Sequence, residues 1–295
     1  MRNAFIDELV ALAERHPHIA LVVGDLGFSV IEPFADRFPD RFINAGVAEQ
    51  NMTGLAAGMA SEGYHVFTYS IANFPTFRCA EQIRNDIDYQ RLPVTVVAVG
   101  GGLAYGALGY SHHAVQDYAL MRTMPNLLIA APGDPSEVRG CLRYLVANPQ
   151  PSYLRLGKAG ERDFHDRTIP ELFPGRWHRI RAAEGDSRDV LLSTGATLEL
   201  AMSMRERPEH FGSEVCTLPL WGMGAKPLQG DQVARYNAVT ALEDHLEDGG
   251  FGSWLSESLA RGPALRGRIR SMALSSDVCG LVGSQAMLNA RGGLR

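Results

Sequence analysis

Apolar residues recur along this chain at two alternating periods. "NAFIDELVALAERH" has helical spacing, and "IALVVGD" after it is a short β-branched run ending in a turn. The alternation then repeats. "VAEQNMTGLAAGMASEG" predicts a helix closed by Gly63, "YHVFTYS" a strand, "CAEQIRNDIDYQ" a helix, and "LPVTVVAVGGG" a buried strand running into glycines. "AVQDYALMRTM" reads as helix, "LLIAAPG" as strand, "PSEVRGCLRYLVAN" as helix and "PSYLRL" as a last strand. Strand and helix in strict turn predict right-handed crossovers and a parallel sheet covered on both faces.

Between about Gly160 and Arg188 the pattern dissolves into charged residues with Pro170 and Pro174, which predicts an interdomain crossing. A second alternating set follows in "DVLLSTGATLELAMSM", "SEVCTLPL", "NAVTALED" and "FGSWLSESLARG". The expected fold is therefore α/β with two doubly wound domains, residues 1–160 and 188–295, joined by a linker over 161–187.

Composition narrows the function classes. The 295 residues are 45% hydrophobic and 21% charged, which is globular, and the formal net charge of −5 supplies no basic surface for nucleic acid or membrane. The N-terminus carries Arg2, Asp7 and Glu8 instead of a long apolar core, so it does not read as a secretory signal. No uninterrupted apolar run approaches the about 18 residues of a membrane helix. Cys79, Cys141, Cys216 and Cys279 are far apart and read as buried free thiols of a reducing cytoplasm. With no close pair among them, no metal site is expected.

Certain residues do not fit a plain core. Glu49 falls in the first turn of an apolar, small-residue helix, where burying a charge is expensive. By itself it reads equally as a solvated carboxylate favoured by the helix dipole or as one held in a dry place for chemistry. His112 and His113 sit together in a Gly-rich loop after a buried strand, which suits proton transfer and is poor for one shared ion. Ile71, Phe74 and Phe77 fall three residues apart, a spacing that alone reads as core. The glycines of "VGGGLAYG" follow a strand but lack the helix-opening dinucleotide fingerprint.

"INAGVAEQNMTGLAAGMA" resembles the glutamate motif of the transketolase family, which includes deoxyxylulose phosphate synthase. The likeness continues through "EQIRNDIDYQRLPV", "SHHAVQDYALMRTMPNLLIAAPGDPSEV" and "PSYLRLGK", and resumes at "VTALEDHLEDGGFGSWLSESLA". It implies a thiamin pyrimidine-binding domain followed by a transketolase C-terminal-type domain. In this family a glutamate heading the helix after the second strand bonds to N1′ of the cofactor's aminopyrimidine, so that the 4′-nitrogen can take the C2 proton. Such a carboxyl works best when buried beside the ring. The resemblance assigns that role to Glu49, stacking on the ring to Phe74, and flanking apolar contacts to Ile71 and Phe77. It makes His112 the substrate-facing catalytic histidine and places His113 with it among the substrate-binding positions. Arg2, Ser29 and Arg155 match positions that contact the phosphate end of a sugar.

Two departures bear on the substrate. Leu108 stands where transketolases carry an acidic residue that reads a sugar hydroxyl, and Gly100 stands where they carry a histidine. The first implies a different or less hydroxylated donor. A diphosphate site is not recognisable either: Leu26 interrupts the GDG-like "VVGDLGFS", and no Asn follows at the required spacing. The resemblance thus implies the C-terminal subunit of a split transketolase. A separate N-terminal chain would bind the diphosphate and Mg²⁺, the assembly would be α2β2, and thiamin diphosphate would sit between the chains. The implied reaction moves a two-carbon ketol unit from a phosphorylated or related ketose to an aldehyde. Two other readings stand beside it: the beta subunit of a 2-oxoacid dehydrogenase or acyl-transferring thiamin enzyme, and a non-catalytic partner-binding remnant.

Overall fold

The computed structural model describes residues 1–260 and 263–295. Its first half begins with α1 (Arg2–Arg15) and β1 (Ile19–Val23), followed by α2 (Glu32–Arg37), β2 (Phe42–Asn44) and α3 (Glu49–Ser61). Then come β3 (His65–Ile71), α4 (Asn73–Phe77), α5 (Ala80–Gln82), β4 (Val94–Val99), α6 (Asp117–Met121), β5 (Leu128–Ala130), α7 (Pro135–Ala147) and β6 (Ser152–Leu156). Every residue of β1 is buried because the sheet is covered on both sides. Alternation along the strand sends Ala20 and Val22 into one core with Met52, Ala56 and Ala60 of α3, and Ile19, Leu21 and Val23 into another with Phe5, Leu9, Leu142 and Leu145 of α1 and α7. This is the doubly wound arrangement expected.

The second half contains β7 (His178–Arg181), β8 (Asp189–Ser193), α8 (Leu198–Met204), β9 (Glu214–Thr217), β10 (Leu220–Trp221) and α9 (Gln229–Val233). It closes with β11 (Ala238–Leu246), α10 (Phe251–Ser258), α11 (Pro263–Arg266), β12 (Ile269–Leu274) and α12 (Gln285–Arg291). The strand orders are β10-β5-β6-β4-β3-β1-β2 and β12-β11-β8-β9-β7. All pairings are parallel except β10 on β5 and β7 on β9.

Several details differ from the pattern expected. The 161–187 stretch is more than a linker: His178–Arg181 pairs antiparallel with β9 as an edge strand, and Phe164 and Leu172 are buried. The halves are also less separate than a linker implies, since β10 crosses back to cover the edge of the first sheet, pairing Leu220 with Ala130 and Trp221 with Ile129. Segment 83–88, expected as α-helix, winds as a π-helix. Cys79, Cys141 and Cys216 are buried free thiols, whereas Cys279 is partly exposed. Among the described residues no helix is long and apolar enough to cross a membrane.

Candidate active site

Ligands of open α/β sheets gather at the carboxyl ends of the strands, where the strand order reverses. In the first sheet β2 lies on one side of β1, while β3 lies on the other and leads to β4, so the reversal falls between β1 and β3. Glu49, the first residue of α3, reaches this point. A Cβ placed on Gly24 at the end of β1 would stand 3.7 Å from Glu49 Cγ and 3.5 Å from Ser70 Oγ of β3. The carboxylate is 1% exposed. Arg78 Nη1 donates to Oε2 at 2.5 Å and neutralises the buried charge, while Oε1 has only a 3.5 Å contact from Ser70 Oγ. The N-cap Ala48 makes no side-chain cap, so Glu49 does not serve as part of a capping box. Beside it the Cys79 thiol is pushed up, chiefly by burial.

Arg78 links this carboxylate to an aromatic row. Its guanidinium lies 4.9 Å from the centroid of Phe74, and Phe74 meets His112 edge-on at 5.2 Å. His112 in turn faces Tyr105 at 6.5 Å, and Lys158 Nζ stands 5.4 Å from the Tyr105 ring. Ser111 Oγ is 3.0 Å from His112 Nδ1, and Asn73 Nδ2 donates to Ser111 O at 2.9 Å, which ties the histidine loop to α4. His112 is half-buried. His113 is fully buried, with Nε2 3.4 Å from Gly106 O and Nδ1 unpartnered. Phe77 is 47% exposed and lines a cavity of about 550 Å³ with Asn73, Tyr110, His113 and Gln116, while Ile71 is half-buried at the end of β3.

The three residues expected at a phosphate fall in different places. Ser29 is exposed in the loop after β1, a strained turn in which Asp25 and Ser29 both adopt left-handed backbone angles (φ 55° and 65°). Arg2, at the start of α1, is half-buried near Tyr69, with its Nε unpartnered. Arg155 lies deeper than either. Its side chain is 2% exposed, and its donors are taken by Asp117, Asp244 and Ala114 O within the protein. The exposed cation at that end of β6 is Lys158. Arg78, Tyr105 and Lys158 escaped sequence reasoning because their importance comes from neighbours on other loops. Lys158 alone carried a signal, as the first cation beyond a buried strand.

Asp134, Asp163 and His165 converge closely enough to share an ion. Their atoms are already engaged with one another: Asp134 Oδ2 is 2.6 Å from His165 Nδ1 and accepts from Phe164 N, while Asp163 accepts from Ser136 Oγ and His165 N. The cluster reads as a strap fastening the interdomain segment to α7.

The fold and site define an α/β protein with a buried carboxylate at the topological switch point, linked by an arginine to an aromatic ring and a histidine. The donor set fits a thiamin pyrimidine: Glu49 keeps a weakly engaged oxygen for a ring nitrogen, and Phe74, reached through Arg78, offers a ring. Residues 1–161 match the family model "Transketolase, pyrimidine binding domain". The chain belongs to the transketolase family. It is 30% identical to one of the subunits of the apulose-4-phosphate transketolase of Phocaeicola vulgatus, over 89% of this chain and 84% of that protein. It is likewise 30% identical to a putative transketolase C-terminal section of Methanocaldococcus jannaschii, over 88% and 82%. It also matches 1-deoxy-D-xylulose-5-phosphate synthase of Magnetococcus marinus at 33%, spanning 92% of this chain but 44% of the relative. Among solved structures, a split-gene transketolase described as an inactive beta4 tetramer superimposes with a TM-score of 0.84 at 28% identity, covering 99% of this chain and 93% of that one.

Proposed function

We propose that this chain is the pyrimidine-binding subunit of a two-chain, thiamin diphosphate-dependent transketolase, completed by a separate diphosphate-binding subunit that also carries Mg²⁺. The observation that carries the reading is the buried carboxylate of Glu49 at the switch point, linked through Arg78 to Phe74 and on to His112. Two relatives of similar length, one a transketolase subunit and the other a transketolase C-terminal section, support the division between two chains. The α2β2 stoichiometry and a cytoplasmic location stay part of the proposal.

When bound, thiamin diphosphate supplies the nucleophilic carbon and the electron sink for breaking a carbon–carbon bond next to a ketose carbonyl. Glu49 would hold a proton at N1′ of the pyrimidine, in a pocket whose dryness strengthens that contact. Phe74, with Ile71 and more loosely Phe77 around it, orients the ring. With Nδ1 engaged by Ser111, His112 has Nε2 to move protons at a substrate hydroxyl. His113 supports the loop from below. Lys158, with Ser29 and Arg2 nearer β1, supplies the charge for a phosphate. Leu108, 57% exposed in the same loop, presents no hydrogen-bond partner to a sugar hydroxyl, consistent with a less hydroxylated donor.

The test is turnover of a ketose panel by the complex reconstituted with its partner. Glu49→Gln or Glu49→Ala should lower kcat by at least about 100-fold. Retained turnover in either variant would sink the assignment. Calorimetry that shows no thiamin diphosphate binding by the wild-type complex would favour a non-catalytic remnant. Consumption of pyruvate instead of ketoses would favour the 2-oxoacid dehydrogenase type.

A further inference from the structure

Arg155 has no place in the site as described, yet its contacts converge on the loop that carries His112. Its Nε donates to Asp117 Oδ2 at 2.7 Å, and Nη1 donates to Asp244 Oδ1 at 2.5 Å. Nη2 donates to Ala114 O at 2.8 Å and to the backbone carbonyl of Asp244 at 3.3 Å. Ala114 is one foot of the histidine loop: Gly102 and Ala114 exchange two backbone hydrogen bonds of 2.9 Å each, closing residues 102–114 on themselves. The end of β11 grips the same foot again. Leu246 N donates to Val115 O at 2.9 Å, and Ala119 N donates to His245 Nε2 at 3.3 Å. The other foot is shaped to the same cluster, because a Cβ on Gly101 would strike the Arg155 guanidinium and one on Gly102 would strike Asp244.

We propose that Arg155 and Asp244 are positioning residues for His112, so that the second domain sets the geometry of the substrate-facing loop of the first. A buried ion pair contributes little net stability over an apolar replacement, but it fixes one geometry. Here the fork of one arginine fixes three things together: Asp117 at the start of α6, the Ala114 carbonyl, and Asp244 from the other sheet. Lysine cannot reproduce that fork.

The inference rests on His112 facing substrate, and its test separates the two. In the full chain, Asp244→Asn and Arg155→Lys should speed amide exchange across residues 102–119 by about tenfold, while amides of β3, β4 and β8 keep their protection. In the reconstituted complex each variant should lower kcat about tenfold without changing the calorimetric affinity for thiamin diphosphate. Neither should cost much more in a His112→Ala background, because the loop would then have nothing left to position. Unchanged exchange in 102–119 in both variants would overturn the proposal. So would exchange rising equally in both sheets, or effects that add fully to His112→Ala. Should the wild-type complex turn over no ketose, the functional reading falls, and the exchange comparison still decides whether the second domain holds the loop.

Discussion

Lys158 shows how much a single exposed charge is asked to do. It stands just past the end of β6 with its ammonium 5.4 Å from Tyr105, on the side of the aromatic row away from Glu49. A ketose bound between the two ends would carry its reacting carbons towards Glu49 and its phosphate towards Lys158. A charge-assisted hydrogen bond to phosphate is worth about 1.5–3 kcal/mol, or roughly ten- to a hundredfold in affinity. Lys158→Ala should therefore raise KM for a phosphorylated ketose by that factor and leave KM for the unphosphorylated analogue nearly unchanged. Steady-state kinetics on the matched pair of donors checks it, and an equal loss on both would place the phosphate elsewhere. The contrast with Arg155, three residues earlier, is one of burial. The odd position on a fully buried strand is spent on structure, and the cation beyond the strand faces solvent.

At the scale of elements, the start of α7 joins three segments through two carboxyls. Asp134 caps the helix by accepting from Glu137 N at 2.8 Å. Burial alone would raise its pKa, but the hydrogen bonds from His165 and from the Glu137 and Phe164 amides hold it below the usual range. Glu137 accepts from Gly133 N and from the Thr217 hydroxyl of β9, and burial, helped by the Asp134 charge, pushes it up to about 7. The folded chain therefore holds a proton at Glu137 that the unfolded chain releases near pH 4.5, so stability should fall as pH rises from about 4.5 to 7 and then level. The loss attributable to this group is on the order of 3 kcal/mol. Glu137→Gln should flatten that decline in denaturant melts taken between pH 5 and 8, and an unchanged slope would mean Glu137 is ionised in the fold. The same elements show what the sequence could disclose. α1 spans almost the predicted window because fourteen residues display the helical period clearly, whereas α2, β2 and β10 are too short to display any. Glu49, Phe74 and His112 each lie in a local motif that the sequence displays, and the structure links them through Arg78. The burial of Arg155 has no local signal, because it depends on Asp244, 89 residues away in the chain.

On the scale of the whole molecule, the two halves share a sheet edge and a core. One cluster of buried side chains runs from Val22, Met52 and Val96 of the first half to Leu192, Trp221, Val239 and Trp254 of the second. β10, though only two residues long, caps β5, and Trp221 stacks edge-on against Tyr118 at 5.1 Å across the junction. The Arg155 pairs with Asp117 and Asp244 lie along the same junction. Separating the halves would expose that apolar surface and leave Asp244 without its partner, so a state with one half folded should be too costly to populate. Amide exchange offers a probe of this, because the inner strands of the two sheets are read separately. Amides of β8 and β11 report the second half, while amides of β1, β3 and β4 report the first. Under denaturant both should give the same midpoint and the same free energy, despite the charged, Pro-containing segment that joins them. Two separated midpoints would show that the halves are thermodynamically independent, and would weaken the case that Asp244 acts on the His112 loop from across the junction.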